Sequence, residues 1–368
     1  MRVVVDSHIP HIQGLIESRA QVLYLDPGQI TPDAVRDADA LIVRTRTRCN
    51  ADLLDHSRVR FIGSATIGTD HIDLDYCASR GITVCNAPGC NAPAVAQWVF
   101  AAIAAWMRDR GVNSPDGLTL GVVGVGHIGS IVARWGRQLG FTTLLNDPPR
   151  EMTEKTEKAE KTEKAEKTEK AEKTEMTEKT DSLADNRDGS FDGIFSPLDE
   201  LQRRCDIITF HTPLTRDGQW PTWHLCDQPF LDGLERCRLI LDAARGTIAD
   251  NEALLRWHGD VGLDCWENEP DISAALLDKC IVATPHIAGY SAQGKQRGTA
   301  MMIDALNRHF GWDIPVPTVD APATGVASVT LDGIAASYDI LADTARLKAN
   351  PAAFESLRNS YHYRSEYL

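Results

Sequence analysis

No apolar run in the sequence approaches the roughly 20 residues that a bilayer-spanning helix requires, although 43% of the 368 residues are hydrophobic. A transmembrane helix is therefore not expected. The opening stretch, Met1 to Gly14, lacks a basic patch followed by an apolar one, so no secretory signal is read there. A basic surplus is missing too: 38 Lys and Arg face 52 Asp and Glu, a net charge of −14. That balance argues against general binding to nucleic acid or to an anionic membrane surface. The nine cysteines are scattered from Cys49 to Cys280 without one C-x-x-C pair. Neither a zinc knuckle nor a thioredoxin-type motif is expected; reduced thiols in a cytoplasm are. Aromatic residues are few, at 7%, yet the apolar content can fill hydrophobic cores, and the length calls for two or three domains.

What is present alternates. Short apolar runs at 2–5, 22–25, 40–43, 61–64 and 83–85 read as strands, with helices expected at 9–18 and 73–80. A long helix at 92–107, rich in Ala, Val and Trp, is apolar nearly all round and should be buried. A second series of strands follows at 118–123, 143–145, 207–210, 239–242, 261–264 and 281–284. Strands alternating with helices predict an α/β protein with two doubly wound parallel sheets. A linker with Pro315 and Pro317 leads to a small C-terminal segment. Residues 151–180 are a near-perfect repeat of Thr-Glu-Lys and Ala-Glu-Lys triplets. Such a repeat spreads every residue type around a helix and leaves no stripe to bury, so it is expected to be a solvated surface insertion without catalytic role.

Gly124-Val125-Gly126-His127-Ile128-Gly129 fits G-x-G-x-x-G between the strand at 118–123 and a helix at 128–139. Gly124 and Gly126 permit the turn and the approach of a pyrophosphate, and Gly129 lets helix pack on strand. The helix start, at His127 and Ile128, then faces the phosphate charge. Asp147 closes the next strand at the spacing of the fingerprint's acidic residue, where a carboxylate accepts ribose hydroxyls and favours NAD over NADP. Three later strand ends carry Asp242-Ala243-Ala244-Arg245-Gly246, Asp264-Cys265-Trp266-Glu267-Asn268-Glu269-Pro270, and Thr284-Pro285-His286. Oxidising a hydroxy acid needs a cation for the carboxylate, a base for the hydroxyl proton, and an acidic group to orient that base. Arg245, His286 and Glu269 are of those types. Alone, each could be a surface turn, a structural histidine or a solvated carboxylate. His71 and His211 read as structural or supporting.

The order Gly-rich loop, Arg-Gly, Asp-x-x-x-x-Glu-Pro, Pro-His resembles the D-isomer-specific 2-hydroxyacid dehydrogenases over 3–310. The resemblance implies Arg245, Glu269 and His286 as the catalytic set. It implies Thr212, Arg245, Asp264 and Gly289 as cofactor contacts, with Ala243 and Ala244 beside the nicotinamide of NAD. It also implies a Rossmann NAD-binding domain at 92–286 carrying the insertion at 151–180. A flavodoxin-like substrate domain at 1–91 and 287–312 and an α+β dimerisation segment at 313–368, shorter than the family pattern suggests, complete the expected homodimer. Asp242 departs from the family, which usually has Asn there.

Several segments resemble the branch of that family acting on a four-carbon acid with a terminal phosphate: 43–47, 66–73, 88–92, 147–150, 286–290 and 354–358. A terminal phosphate needs cations and hydroxyl donors, which Arg44 and Arg46 with Thr45, Thr66 and Tyr290 can supply. The alternative for 44–48 is a solvated basic turn. Rival functions are oxidation of another phosphorylated acid such as 3-phosphoglycerate, or an NAD-sensing scaffold resembling transcriptional corepressors.

Overall fold

The computed structural model describes residues 1–156, 195–322, 325 and 328–368. Of the repeat insertion, only its first six residues fall in this range, and they are helical; the rest lies outside the described residues. The chain forms two compact units. Unit 1 comprises Met1–Ala101, Ile287–Asp339 and Ser356–Leu368, and unit 2 comprises Ala102–His286 and Ile340–Glu355.

In unit 1, β1 (Arg2–Asp6), β2 (Gln21–Leu25), β3 (Ala40–Val43), β4 (Phe61–Ser64) and β5 (Thr83–Cys85) form one sheet in the order β2-β1-β3-β4-β5. Every pairing is parallel. Successive side chains of a strand point to opposite faces, and both faces are covered here. Val3, Val5, Ile42 and Phe61 share one core with Met302, Ile303 and Leu306 of the helix Ala292–Phe310. Val4, Leu41, Val43 and Ile62 share the other with Leu53 and Leu54. That is why the central strands are unbroken apolar runs rather than alternating ones. Gly63 lets the helix sit close, since a Cβ there would lie 2.9 Å from the Met302 sulfur.

The helix expected at 9–18 is absent; the segment is a series of turns. Ile9, Ile12 and Ile16 are buried as a helical face would be, and that spacing suggested a helix. But Pro10 lacks a donor, and His11 and Gly14 take left-handed φ values of 61° and 87°, which a right-handed helix excludes.

Unit 2 carries β6 (Thr119–Val123), β7 (Thr142–Asn146), β8 (Ile207–Phe210), β9 (Leu239–Asp242), β10 (Asp260–Leu263) and β11 (Val282–Ala283). Their order is β11-β10-β9-β8-β6-β7, again all parallel. Phe195 adds a parallel bridge to Leu145 on the outer side of β7. Chain order reverses between β6 and β8, the switch point at which α/β sheets accept dinucleotides.

The residues expected as a separate C-terminal segment are shared between the units. The helix Ile340–Ala349 counts with unit 2, where the Thr344 hydroxyl accepts the N–H of Ala283 at 3.1 Å and so caps an open edge of β11. The tail from Ser356 onward counts with unit 1. The long buried helix spans Ala92–Asp109, and Trp98, Val99, Phe100 and Trp106 are shut off from solvent. No described helix is long and apolar enough to cross a membrane.

Candidate active site

The loop after β6 explains two of its glycines from within the protein. Gly124 has φ +85°, and a Cβ there would lie 2.7 Å from the His211 carbonyl carbon. A Cβ on Gly129 would collide with the Gly124 carbonyl oxygen. Gly126 differs, because a Cβ there would meet nothing within 4 Å. Its lack of a side chain serves no internal packing, which suits the close approach of a ligand's backbone-sized group. The helix His127–Leu139 starts here with no side-chain cap, so the N–H groups of its first turn are open to an anion.

Asp147 lies at the end of the neighbouring strand, as the fingerprint requires. Its carboxylate accepts the Val125 N–H at 2.7 Å and the Arg150 N–H at 3.0 Å, which fixes it against the glycine loop with lone pairs to spare. The Thr212 hydroxyl, on the strand-end loop across the switch point, is buried with no hydrogen-bond partner among the described residues. An open glycine, uncapped N–H groups and an orphaned hydroxyl at one switch point fit a dinucleotide. His211 is structural: Nε2 meets the Thr209 hydroxyl at 3.1 Å, and burial pushes the ring's pKa down to about 3.

After β10 and β11 two of the catalytic candidates, Glu269 and His286, meet. His286 Nδ1 lies 2.9 Å from Glu269 Oε2 and 3.1 Å from Oε1. Facing a carboxylate, Nδ1 must carry the proton and donate it, which leaves Nε2 to exchange protons with a ligand. Glu269 is itself held, since Oε1 accepts the Trp266 N–H at 2.9 Å. The indole of Trp266 donates to the Thr284 carbonyl at 3.0 Å, and the His286 N–H donates to the Asp264 carbonyl at 2.8 Å. Asp264 accepts the Thr284 hydroxyl at 2.6 Å, so it is engaged within the scaffold. His286 has φ 57°, a left-handed conformation uncommon for a residue with a Cβ.

Arg245 follows on the β9 loop, its guanidinium donating to the Ala244 carbonyl at 2.7 Å. The loop abuts the same scaffold: a Cβ on Gly246 would collide with the Trp266 carbonyl oxygen. Cys265, next to Asp264 in the chain, is buried. Its thiol is pushed well above the ordinary range, first by burial and then by the charges of Asp264 and Glu269, with Arg245 opposing. Ala243 and Ala244 are buried at the mouth of β9.

Asp242 is fully buried; Oδ1 accepts the Ala244 N–H at 2.7 Å, and Oδ2 has no partner among the described residues. Burial lifts its pKa to about 7, opposed by the Ala244 N–H and the Arg245 charge. The folded state therefore keeps a proton that the unfolded chain loses from its ordinary 3.8 upward. Stability is intact below that value and falls as pH rises through about 7. The uncharged D242N variant escapes this loss. It should be more stable than wild type at pH 8 by up to ~4 kcal/mol, since each tenfold change in proton affinity is worth about 1.4 kcal/mol. Melting curves from pH 5 to pH 8 check this; a difference that stays flat with pH would disprove it.

In unit 1, Arg44, Thr45, Arg46 and Tyr290 line a single pocket of about 230 Å³. Arg44 donates to the His8 carbonyl at 3.1 Å. Thr66 is not among the lining residues, and its hydroxyl bonds that of Ser64 at 2.8 Å. Gly289 is packed against Asn91, whose side-chain nitrogen occupies the place a Cβ would need. Sequence reasoning missed two cations. Arg358 lines the pocket and donates to the Tyr290 hydroxyl at 3.3 Å, and the Lys295 ammonium lies 4.0 Å from the Tyr290 ring centroid. Arg358 was visible in the segment 354–358, read as part of a dimer contact; Lys295 sits in no motif.

Buried Arg364 was missed as well. Its guanidinium donates to the carbonyls of Ala94, Ile287, Ala288 and Tyr290 and lies 4.2 Å from the Tyr338 ring centroid. The stretch that follows His286 in the chain is thus held by a residue near the C-terminus.

Comparison with known proteins shows the family of the chain. The model of the D-isomer-specific 2-hydroxyacid dehydrogenase catalytic domain matches residues 3–315. A Bacteroides fragilis protein named erythronate-4-phosphate dehydrogenase is 40% identical over 375 residues, covering 100% of this chain and 97% of that one. Its namesake from Marinobacter nauticus is 37% identical over 391 residues, covering 100% and 93%. Among solved structures, D-lactate dehydrogenase from Aquifex aeolicus superposes with a TM-score of 0.62 at 23% identity, over 84% of this chain and 95% of that one. The last likeness speaks to fold alone. On the family match and the full-length relatives, the chain belongs to the D-isomer-specific 2-hydroxyacid dehydrogenase family.

Proposed function

We propose that the chain oxidises 4-phospho-D-erythronate to 2-oxo-3-hydroxy-4-phosphobutanoate with NAD, a step toward pyridoxal 5′-phosphate. The observation that carries this reading is the His286–Glu269 pair at 2.9 Å, set at strand ends of a dinucleotide fold in a chain similar throughout to relatives of that name. The cofactor is NAD, which when bound accepts the hydride from C2. Unit 2 is assigned as the NAD-binding domain and unit 1 as the substrate domain. The Gly124–Gly129 loop would take the pyrophosphate, Asp147 the adenosine ribose, and Thr212 a further polar contact.

His286 Nε2 takes the C2 hydroxyl proton as the C–H bond breaks and the carbonyl forms. Glu269 holds the ring's tautomer and stabilises the imidazolium that results. Arg245 offers its planar fork to the substrate carboxylate. The phosphate is assigned to the pocket of Arg44, Thr45 and Tyr290. The homodimer belongs to the same reading, with the C-terminal residues at its contact.

The test is NAD reduction followed by the absorbance of the reduced cofactor with 4-phospho-D-erythronate and, in parallel, with 3-phosphoglycerate. A kcat/KM favouring the first acid by roughly a hundredfold is expected, as a pocket built for one polar pattern discriminates strongly. Preference for phosphoglycerate would replace the substrate, and NAD binding without turnover of either would replace the enzyme by a sensor.

A further inference from the structure

The pocket of unit 1 gathers cations from distant parts of the chain. Arg44, Arg46 and Arg358 line it against one carboxylate, Asp6, whose Oδ1 accepts the His8 N–H at 2.8 Å. Lys295 stands behind the wall on the face of Tyr290, 4.0 Å from the ring centroid, and 5.3 Å from that of Tyr363. Lys295 and Arg358 are both half-buried. Like charges gathered this way repel: burial lowers the Lys295 pKa first, and Arg44 and Arg358 lower it further, with Tyr290 and Cys90 opposing. Tyr290 is wedged between them, its hydroxyl bonded by Arg358 Nε at 3.3 Å. Three elements far apart in sequence supply these groups: the β3 end, the start of the helix Ala292–Phe310, and the C-terminal helix Phe354–Asn359. Concentrated cations with donor hydroxyls among them are what a phosphomonoester dianion requires, because several charge-assisted bonds can then act on one group.

We propose that Arg358, supplied by the C-terminal segment, is a specificity-determining residue that binds the terminal phosphate of the substrate in this pocket, together with Arg44 and with Lys295 setting the charge behind Tyr290. The C-terminal segment thereby reads the substrate, whatever part it has in dimer contacts. This inference rests on the function proposed above.

The experiment compares wild type, Arg358→Gln and Arg358→Lys with two acids, 4-phospho-D-erythronate and unphosphorylated D-erythronate. Loss of a charged bond to the phosphate should lower kcat/KM for the phosphorylated acid by roughly 30- to 100-fold in Arg358→Gln, chiefly through KM. The ratio between the two acids should collapse by a similar factor, and Arg358→Lys should restore part of it. An equal loss with both acids, or a phosphate preference as strong as wild type's, overturns the proposal. Inorganic phosphate titrated calorimetrically into each protein supplies a readout that needs no turnover. Weaker phosphate binding by Arg358→Gln supports the phosphate site even if wild type oxidises neither acid, in which case only the reaction assigned above fails. Unchanged phosphate affinity in that variant overturns the site itself.

Discussion

Replacing His286 by Gln should lower kcat for NAD reduction by about 10²- to 10⁴-fold, the usual worth of a positioned general base, while NAD affinity moves by less than roughly threefold. Gln keeps a polar group of similar reach and can still bond Glu269, so the scaffold of Trp266, Thr284 and Asp264 has no reason to shift. What disappears is the ring nitrogen that would take the hydroxyl proton. Steady-state rates at saturating substrate give the first quantity, and quenching of protein fluorescence by NAD gives the second. A variant with a tenth or more of wild-type turnover would remove His286 from the chemistry.

Glu269→Gln tests the second half of the pair. Gln at 269 can still accept the Trp266 N–H and so preserve the loop, but it carries no charge toward Nδ1. Without that charge the imidazolium is less stable, and an amide N–H facing the ring favours the wrong tautomer. The resulting loss in kcat is expected at roughly 10²- to 10⁴-fold, by the behaviour of the third member of hydrolase triads. The pair acts as one unit. The double variant should therefore be no slower than the worse single variant by more than about threefold. Two losses that multiply would show that Glu269 does something apart from orienting His286.

Much of this was legible because parallel sheets with both faces covered force apolar runs onto their strands. The four residues 40–43 and the four at 207–210 are bounded in the structure as their composition suggested. The glycine loop was legible for a steric reason, as Gly124 and Gly129 leave no space for a Cβ. The helix expected at 9–18 failed because periodic burial of Ile9, Ile12 and Ile16 does not require helical backbone once Pro10 and Gly14 intervene. Lys295, Arg358 and Arg364 escaped notice for another reason. Each makes contacts across tens or hundreds of positions, such as Arg364 with Ala94 and Lys295 with Tyr363, and no local pattern records a contact of that range. Thr66 was drawn in by its motif, but its hydroxyl faces Ser64.

Unit 1 is assembled from three stretches of chain, with 185 residues of unit 2, Ala102 to His286, running between its first two. The helix that seals one side of its sheet, Ala292–Phe310, is synthesised only after that whole excursion. During translation the first hundred residues emerge with an apolar sheet face covered only in part, by Ile9, Ile12, Ile16, Ala87 and Cys90, and what stays open is a surface that chaperones bind and that aggregation exploits. Residues 1–101 expressed alone would keep part of that face exposed permanently, so a soluble form of unit 1 has to be made by rejoining distant stretches rather than by cutting the polypeptide once.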